Sequence, residues 1–209
     1  GLGLPVRPSV TAGGGRPVAG ASLDGEADAS LDVEQRLGAN LLGTLTFNTD
    51  FAETEVDSRR SNLTRFPLFF PEKRTFFLEG SDVFEFGFGL GTNLVPFFSR
   101  RIGLVQGTSA PVQVGAKLNG QLGPTRIGTI VTRTGGIEGV APATELGVFR
   151  IRRNVLRESS VGAILTAGDP SGGTGWLGGV DLTYRTSRFG GDRNFLAGVS
   201  AIRSERAGS

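Results

Sequence analysis

The dominant pattern along the chain is alternation with a period of two, which marks strands whose two faces meet different surroundings. Leu2, Leu4, Val6, Val10 and Ala12 share one parity, with Arg7, Ser9 and Thr11 on the other. Ala29, Leu31, Val33 and Leu37 alternate with Ser30, Asp32, Glu34 and Arg36, and Leu41, Leu45, Phe47 and Phe51 with Thr44, Thr46, Asn48 and Asp50. Val112, Val114, Ala116, Leu118 and Leu122 alternate with Gln113, Lys117, Asn119 and Gln121. Residues 126–133 are apolar on both sides, at Ile127, Ile130 and Val131. Phe149 and Ile151 oppose Arg150 and Arg152; Val161, Ala163 and Leu165 oppose Ser160, Gly162 and Thr166. Trp176, Val180, Leu182 and Tyr184 oppose Asp181, Thr183 and Arg185, and Phe195, Ala197 and Val199 oppose Asn194, Gly198 and Ser200. The pattern predicts about nine strands, mostly of about 9–11 residues, the length a tilted strand needs to cross a bilayer.

Connections alternate as well. Long segments (13–28, 52–111, 134–144, 168–175) are interleaved with short ones at Gly38–Asn40, Gly123–Thr125 and Asn154–Ser159, and 186–193 follows last. Outer-membrane barrels sort their loops in this way, because successive strands cross in opposite directions. One face of each strand suits lipid, and the other suits a wet interior. The expected fold is therefore all-β: an antiparallel transmembrane β-barrel, partial in this chain, with a long Phe-rich inserted loop. Residues 1–51 supply the first three strands, 52–111 the loop as plug or cap, and 112–209 about six more strands. A soluble sandwich with one wet face is the alternative.

Ten of the fifteen phenylalanines lie between Phe66 and Phe98. Pairs such as Phe69–Phe70 and Phe76–Phe77 beside Arg, Lys and Glu suggest a compact loop whose rings pack together. Left exposed, such a run would be adhesive, so it is expected to be buried.

Composition narrows the chemistry. Histidine, cysteine and methionine are all absent, which excludes disulfides, thiolate catalysis, Cys/His metal sites and histidine-dependent triads. A chain without methionine reads as a processed product or an internal piece of something longer. No apolar run reaches the length of a membrane-spanning helix. The pI of 9.6 reflects a small arginine excess with almost nothing titrating near neutrality. The arginines are scattered, without the basic patch and interleaved aromatics of a nucleic-acid binder, so no nucleic-acid partner is expected.

Three groups of polar residues remain as candidates. Glu53, Glu55 and Asp57 share one parity beyond a strand; they form either an oxygen-ligand set for Ca²⁺ or a solvated strand end with Arg59 and Arg60 as counterions. No other cofactor is implied. Glu72, Glu79, Asp82 and Glu85 sit among phenylalanines, where desolvation could raise one pKa as a glycosidase acid requires, although Lys73 and Arg74 oppose this. Arg65, Arg74, Arg100 and Arg101 could form a cationic rim selecting anionic solutes, or clamp the loop. Arg150, Arg152 and Arg185 fall on the interior parity, where they tune a pore or form ion pairs with Asp181 and Glu145.

The runs Asn48–Asp57, Asn62–Gly80 and Phe98–Gly103 resemble an uncharacterised bacterial family. In that family an outer-membrane β-barrel-like domain of unknown function follows a family-9-like carbohydrate-binding module. The resemblance implies an outer-membrane location in a Gram-negative bacterium, an upstream periplasmic sugar-binding module, and further strands or a partner chain at the open edge. It also implies carbohydrate or another polymer as a ligand, in solute passage or capture at the cell surface. The alternatives are a scaffold subunit of an envelope assembly and a barrel-borne, carboxylate-dependent glycoside hydrolase.

Overall fold

The computed structural model describes residues 6–14, 25–49, 72, 74–87, 96–97, 99, 102–105, 108–139, 142–169 and 173–207. Three strands come first: β1 (Val6–Gly14), β2 (Gly25–Leu37) and β3 (Leu41–Thr49). An insert follows, with the one-turn helix α1 (Thr75–Leu78), a 3₁₀ turn at Ser81–Phe84, and a small ladder of β4 (Leu104–Val105) and β5 (Thr108–Ser109). Six strands complete the described chain: β6 (Val112–Leu122), β7 (Thr125–Thr134), β8 (Thr144–Val155), β9 (Ser159–Ala167), β10 (Thr174–Phe189) and β11 (Arg193–Ala207). The nine long strands form one antiparallel sheet in the order β1-β2-β3-β6-β7-β8-β9-β10-β11. The sheet is open among the described residues, with β1 and β11 as its edges. No helix among these residues is long and apolar enough to cross a membrane, which says nothing of strands.

The connections obey a strict parity. At one end the hairpins β2–β3, β6–β7, β8–β9 and β10–β11 close through 38–40, 123–124, 156–158 and 190–192. The strand ends joined by the longer connections, those flanking the insert included, all lie at the other end. The register adds a steady stagger. One row of partners runs Leu37–Leu41–Gly120–Ile127–Ile151–Ala163–Val180. The β2–β3 turn sits on that row. The later turn pairs Leu122–Thr125, Val155–Ser159 and Phe189–Arg193 lie about two, four and nine residues beyond it. That slope is about 1.5 residues, or roughly 5 Å, for each ~4.8 Å of strand spacing. Setting the four turns on one plane therefore tilts the strands by about 45°, at the upper end of the ~35–45° that barrels adopt.

The covered face mixes apolar and polar side chains: Val112, Ile130, Leu146, Val148 and Ile164 are buried there against the insert. The insert covers the face carrying Thr44, Thr46, Lys117, Thr132, Arg150 and Asp181, all of them buried. The opposite, open face exposes Leu31, Leu45, Phe47, Val114, Val131, Phe149, Leu165, Val180, Leu182 and Val199. These ten side chains, each showing roughly half its surface, sum to an area on the order of 700 Å². The largest apolar patch of a typical soluble monomer is about 300–600 Å². Charges on the open face sit toward strand ends, as with Arg133 and Glu145, which pair at 3.2 Å. The chain's one tryptophan and one tyrosine mark the ends of the apolar band. Trp176 and Tyr184 are exposed on the same face of β10, eight residues apart, or about 27 Å along the strand. Tyr184 and Phe189 flank Phe195 at ring distances of 6.1 and 4.8 Å, beside the short-turn end.

Two expectations, on Val112 and Glu145, need correction, and the two-sided apolar pattern of β7 resolves into its two faces. Val112 does not share a face with Val114: a bulge between them turns Val112 under the insert, where it is fully buried. Ile130, one of the two-sided apolar positions of β7, belongs to the covered face and is buried against the insert's phenylalanines. Glu145 is no partner for Arg150 or Arg152, because it stands opposite Arg133 on the open face.

Candidate functional site

The insert is organised by a buried arginine. Arg74 donates Nε–H to Glu72 Oε1 and an Nη2 hydrogen to Glu72 Oε2, both at 2.8 Å. Its guanidinium also donates to the carbonyls of Ser99 (2.7 Å) and Ile102 (2.6 Å). The Ser99 hydroxyl donates to Glu72 Oε2, and the Arg74 guanidinium lies 4.3 Å over the Phe77 ring. A bidentate carboxylate leaves Arg74 free to gather two backbone carbonyls from a segment about 25 residues away, which ties the two halves of the insert together. Burial by itself would push the Glu72 pKa up. The hydrogen bonds and charge of Arg74, with the Ser99 hydroxyl, outweigh that and hold the carboxyl below the ordinary glutamate range.

From this clamp α1 begins, its first backbone bonds running from Phe77 and Leu78 N–H to the Arg74 carbonyl. Gly80, in the left-handed region at φ 70°, turns the chain into the 3₁₀ turn. Phe76, Phe77, Phe84 and Ile102 pack with Val112, Ile130, Leu146, Val148 and Ile164 from the sheet, forming a single core. Each fully buried ring contributes about 1.5–3 kcal/mol of transfer free energy.

The sheet receives the insert in two ways. Glycines provide sockets for its rings. A Cβ at Gly115 would lie 3.1 Å from Phe76 Cζ, one at Gly128 3.0 Å from Phe84 Cζ, and one at Gly179 3.0 Å from Phe86 Cζ. Cations from the sheet then take the insert's carbonyls. Lys117 Nζ donates to Phe76 O (2.6 Å) and Glu79 O (3.0 Å), satisfying orphan carbonyls at the end of α1. Arg150 Nε–H donates to Glu85 O at 3.1 Å, with the guanidinium 5.3 Å from the Phe86 ring. The rest of that guanidinium grips Asp181 at 2.6 and 2.9 Å across Gly162, where any Cβ would collide with both groups. At the surface Arg126 pairs with Asp82 at 2.9 Å.

The sequence candidates thus divide by location. Phe76 and Phe77 are core, and Arg74 is the buried clamp of the loop rather than a solvent-facing rim. Arg150 and Asp181 form a buried ion pair. Arg152 and Arg185 are not drawn into that pair; Arg185 lies near the short turns with an exposed side chain. Arg65, Arg100, Arg101, Phe69, Phe70, Glu53, Glu55 and Asp57 lie outside the described residues. Among the described residues, no cluster of acidic side chains is arranged to hold a metal ion. Sequence reasoning missed Lys117 and the sockets Gly115, Gly128 and Gly179. Their only signal was a lone lysine and glycines on the polar parity.

The Glu72–Arg74–Ser99–Ile102 clamp and the Lys117 contact fall inside one recognisable unit. A domain of unknown function (DUF5916) is found at residues 26–120. The DUF5916 match runs from β2 through the insert into β6, so it contains both the insert and its first receiving strands. Arg150 and Asp181 lie beyond the match. No curated protein and no solved structure matches the chain.

Proposed function

We propose that this chain is a wall segment of an outer-membrane β-barrel of a Gram-negative bacterium, with its open face in lipid and the Phe-rich insert lodged on the lumen side as a plug. Its role is the capture or passage of a solute at the cell surface, with carbohydrate as the ligand class. The observation that carries this reading is the open face: exposed Leu, Val and Phe across the sheet, opposite a covered face where buried Thr, Lys, Arg and Asp sit among the apolar residues that hold the insert. Loop parity, the ~45° tilt and the aromatic ends of β10 support it independently. A lipid-embedded sheet cannot leave its backbone edges unpaired, so β1 and β11 take further strands or a partner chain. An upstream periplasmic sugar-binding module is the remaining partner.

One observation favours a second reading as a scaffold subunit of an envelope assembly. The insert is anchored to the sheet by Lys117, Arg150 and the glycine sockets, contacts suited to a permanent filler. A hydrolase is least supported. Glu72, the candidate acid most withdrawn into the insert, is held ionised, opposite to what a general acid needs.

The test is the mobility of the detergent-extracted protein in SDS, boiled against unboiled, together with membrane fractionation. A boiling-dependent shift in outer-membrane material is expected. A soluble protein without a shift overturns the reading.

A further inference from the structure

On the covered face, Arg126 of β7 and Arg152 of β8 are direct cross-strand partners. Like charges in that relation repel, so the neighbours of the pair decide whether it is tolerated. The row continues from Arg152 through Gly162 to Asp181, which makes Asp181 the carboxylate nearest in register to Arg152. Both Asp181 oxygens are already taken by Arg150. Arg126 is matched by Asp82. Glu85 turns its carboxylate to solvent and forms no ion pair among the described residues. Three guanidinium groups therefore share two carboxylates, and Arg152 is the one left over. Its side chain is half-buried, and its Nε–H is buried without a hydrogen-bond partner. A buried, unpaired charged donor is among the costlier defects a fold can carry.

The approach is on the Arg126 side, and Arg152 stands behind it as the cross-strand partner without lining the cleft. Arg126 opens onto a cleft of about 410 Å³ beside the short turns, lined also by Asn40, Asp82, Asn119 and Gln121. We infer that the Arg126–Arg152 pair is a binding site for a small oxyanion, a phosphate or carboxylate group, which enters beside Arg126 and offsets the charge that Arg152 leaves uncompensated. The planar guanidinium fork favours such groups over chloride. This site is distinct from the plug's anchoring contacts and does not depend on what covers the open face.

The experiment titrates the purified full chain with sodium phosphate, and separately with sodium acetate. Sodium chloride at matched ionic strength serves as the reference, and thermal unfolding is the readout. The expected result is a rise in Tm of about 2–4 °C with phosphate or acetate beyond the chloride control. Arg152→Gln should abolish the rise, and Arg152→Lys, which keeps the charge but loses the fork, should leave a reduced one. If Arg152→Gln fails to fold, Arg126→Gln tests the same response from the other side. The inference is overturned if neither oxyanion exceeds chloride, or if the response persists undiminished in the glutamine variants.

Discussion

Replacing Asp181 by asparagine should cost far more than loss of one ion pair ordinarily does. Arg150 has no exposed surface and the Asp181 side chain is 4% exposed, with two hydrogen bonds of 2.6 and 2.9 Å between them. The amide can accept one of those bonds, but its NH₂ then faces a guanidinium that has nowhere to go. Gly162 leaves no slack, because the pair already occupies the space a Cβ would need. Stranding a buried charge in this way costs about 3–5 kcal/mol, against about 0.2–1 kcal/mol for an exposed pair. The apolar double replacement Arg150→Met with Asp181→Leu removes both charges. It should recover most of the loss, leaving only the missing bond to Glu85 O, about 1 kcal/mol. The assay compares the stabilities of these variants by urea unfolding in lipid vesicles, followed by the fluorescence of Trp176, the chain's one tryptophan. An Asp181→Asn cost below about 1 kcal/mol, or a double variant as unstable as the single, would refute the claim that this pair is a desolvated anchor of the insert.

Other consequences are equally direct. Because Glu72 is depressed in the folded state, its clamp stabilises fully above the ordinary glutamate pKa of about 4.3 and is lost as pH falls through the lower folded value. Protease resistance of the insert should therefore weaken on acidification below about pH 4.3, and Glu72→Gln should flatten that acid limb while lowering resistance at neutral pH. Phe77→Ala, at 1% exposure, should cost about 3–5 kcal/mol in the same unfolding assay. Gly115→Ala should cost about 1–3 kcal/mol, since its Cβ would stand 2.7 Å from Thr46 Cγ2 and 3.1 Å from Phe76. Val180→Arg, on the open face, separates the environments: about 2–4 kcal/mol is lost if that face lies at mid-bilayer depth, and within about 0.5 kcal/mol if it is wet.

The strands were legible because a period of two survives whatever the surroundings are; β8 and β10 could be placed from Phe149/Arg150 and Leu182/Asp181 alone. Parity also identified which residues share a face, and so anticipated the Arg150–Asp181 pairing. It could not say what covers the polar face. Ile130 looked ambiguous because its partners, led by Phe77, come from a loop about 50 residues earlier in the chain. Val112 was misplaced because a bulge shifts parity locally without a composition signal. The sockets were invisible for a different reason. A glycine facing a phenylalanine ring carries no side chain to read, so Gly115, Gly128 and Gly179 looked like interruptions rather than contacts. Arg74 read equally as rim or clamp, since only the three-dimensional return of Ser99 and Ile102 supplies its acceptors.

The central claim is that the open face meets hydrocarbon, and Trp176 reports on it without any engineered label. Its side chain is exposed on that face near one end of the apolar band, with its indole N–H directed to Glu205 at 3.2 Å. In vesicles whose acyl chains carry bromine, the fluorescence should be strongly quenched, more by bromines near the headgroup than by those at the chain ends, and aqueous acrylamide should quench little. Strong acrylamide quenching with no response to brominated lipid would place the face in water and contradict the account.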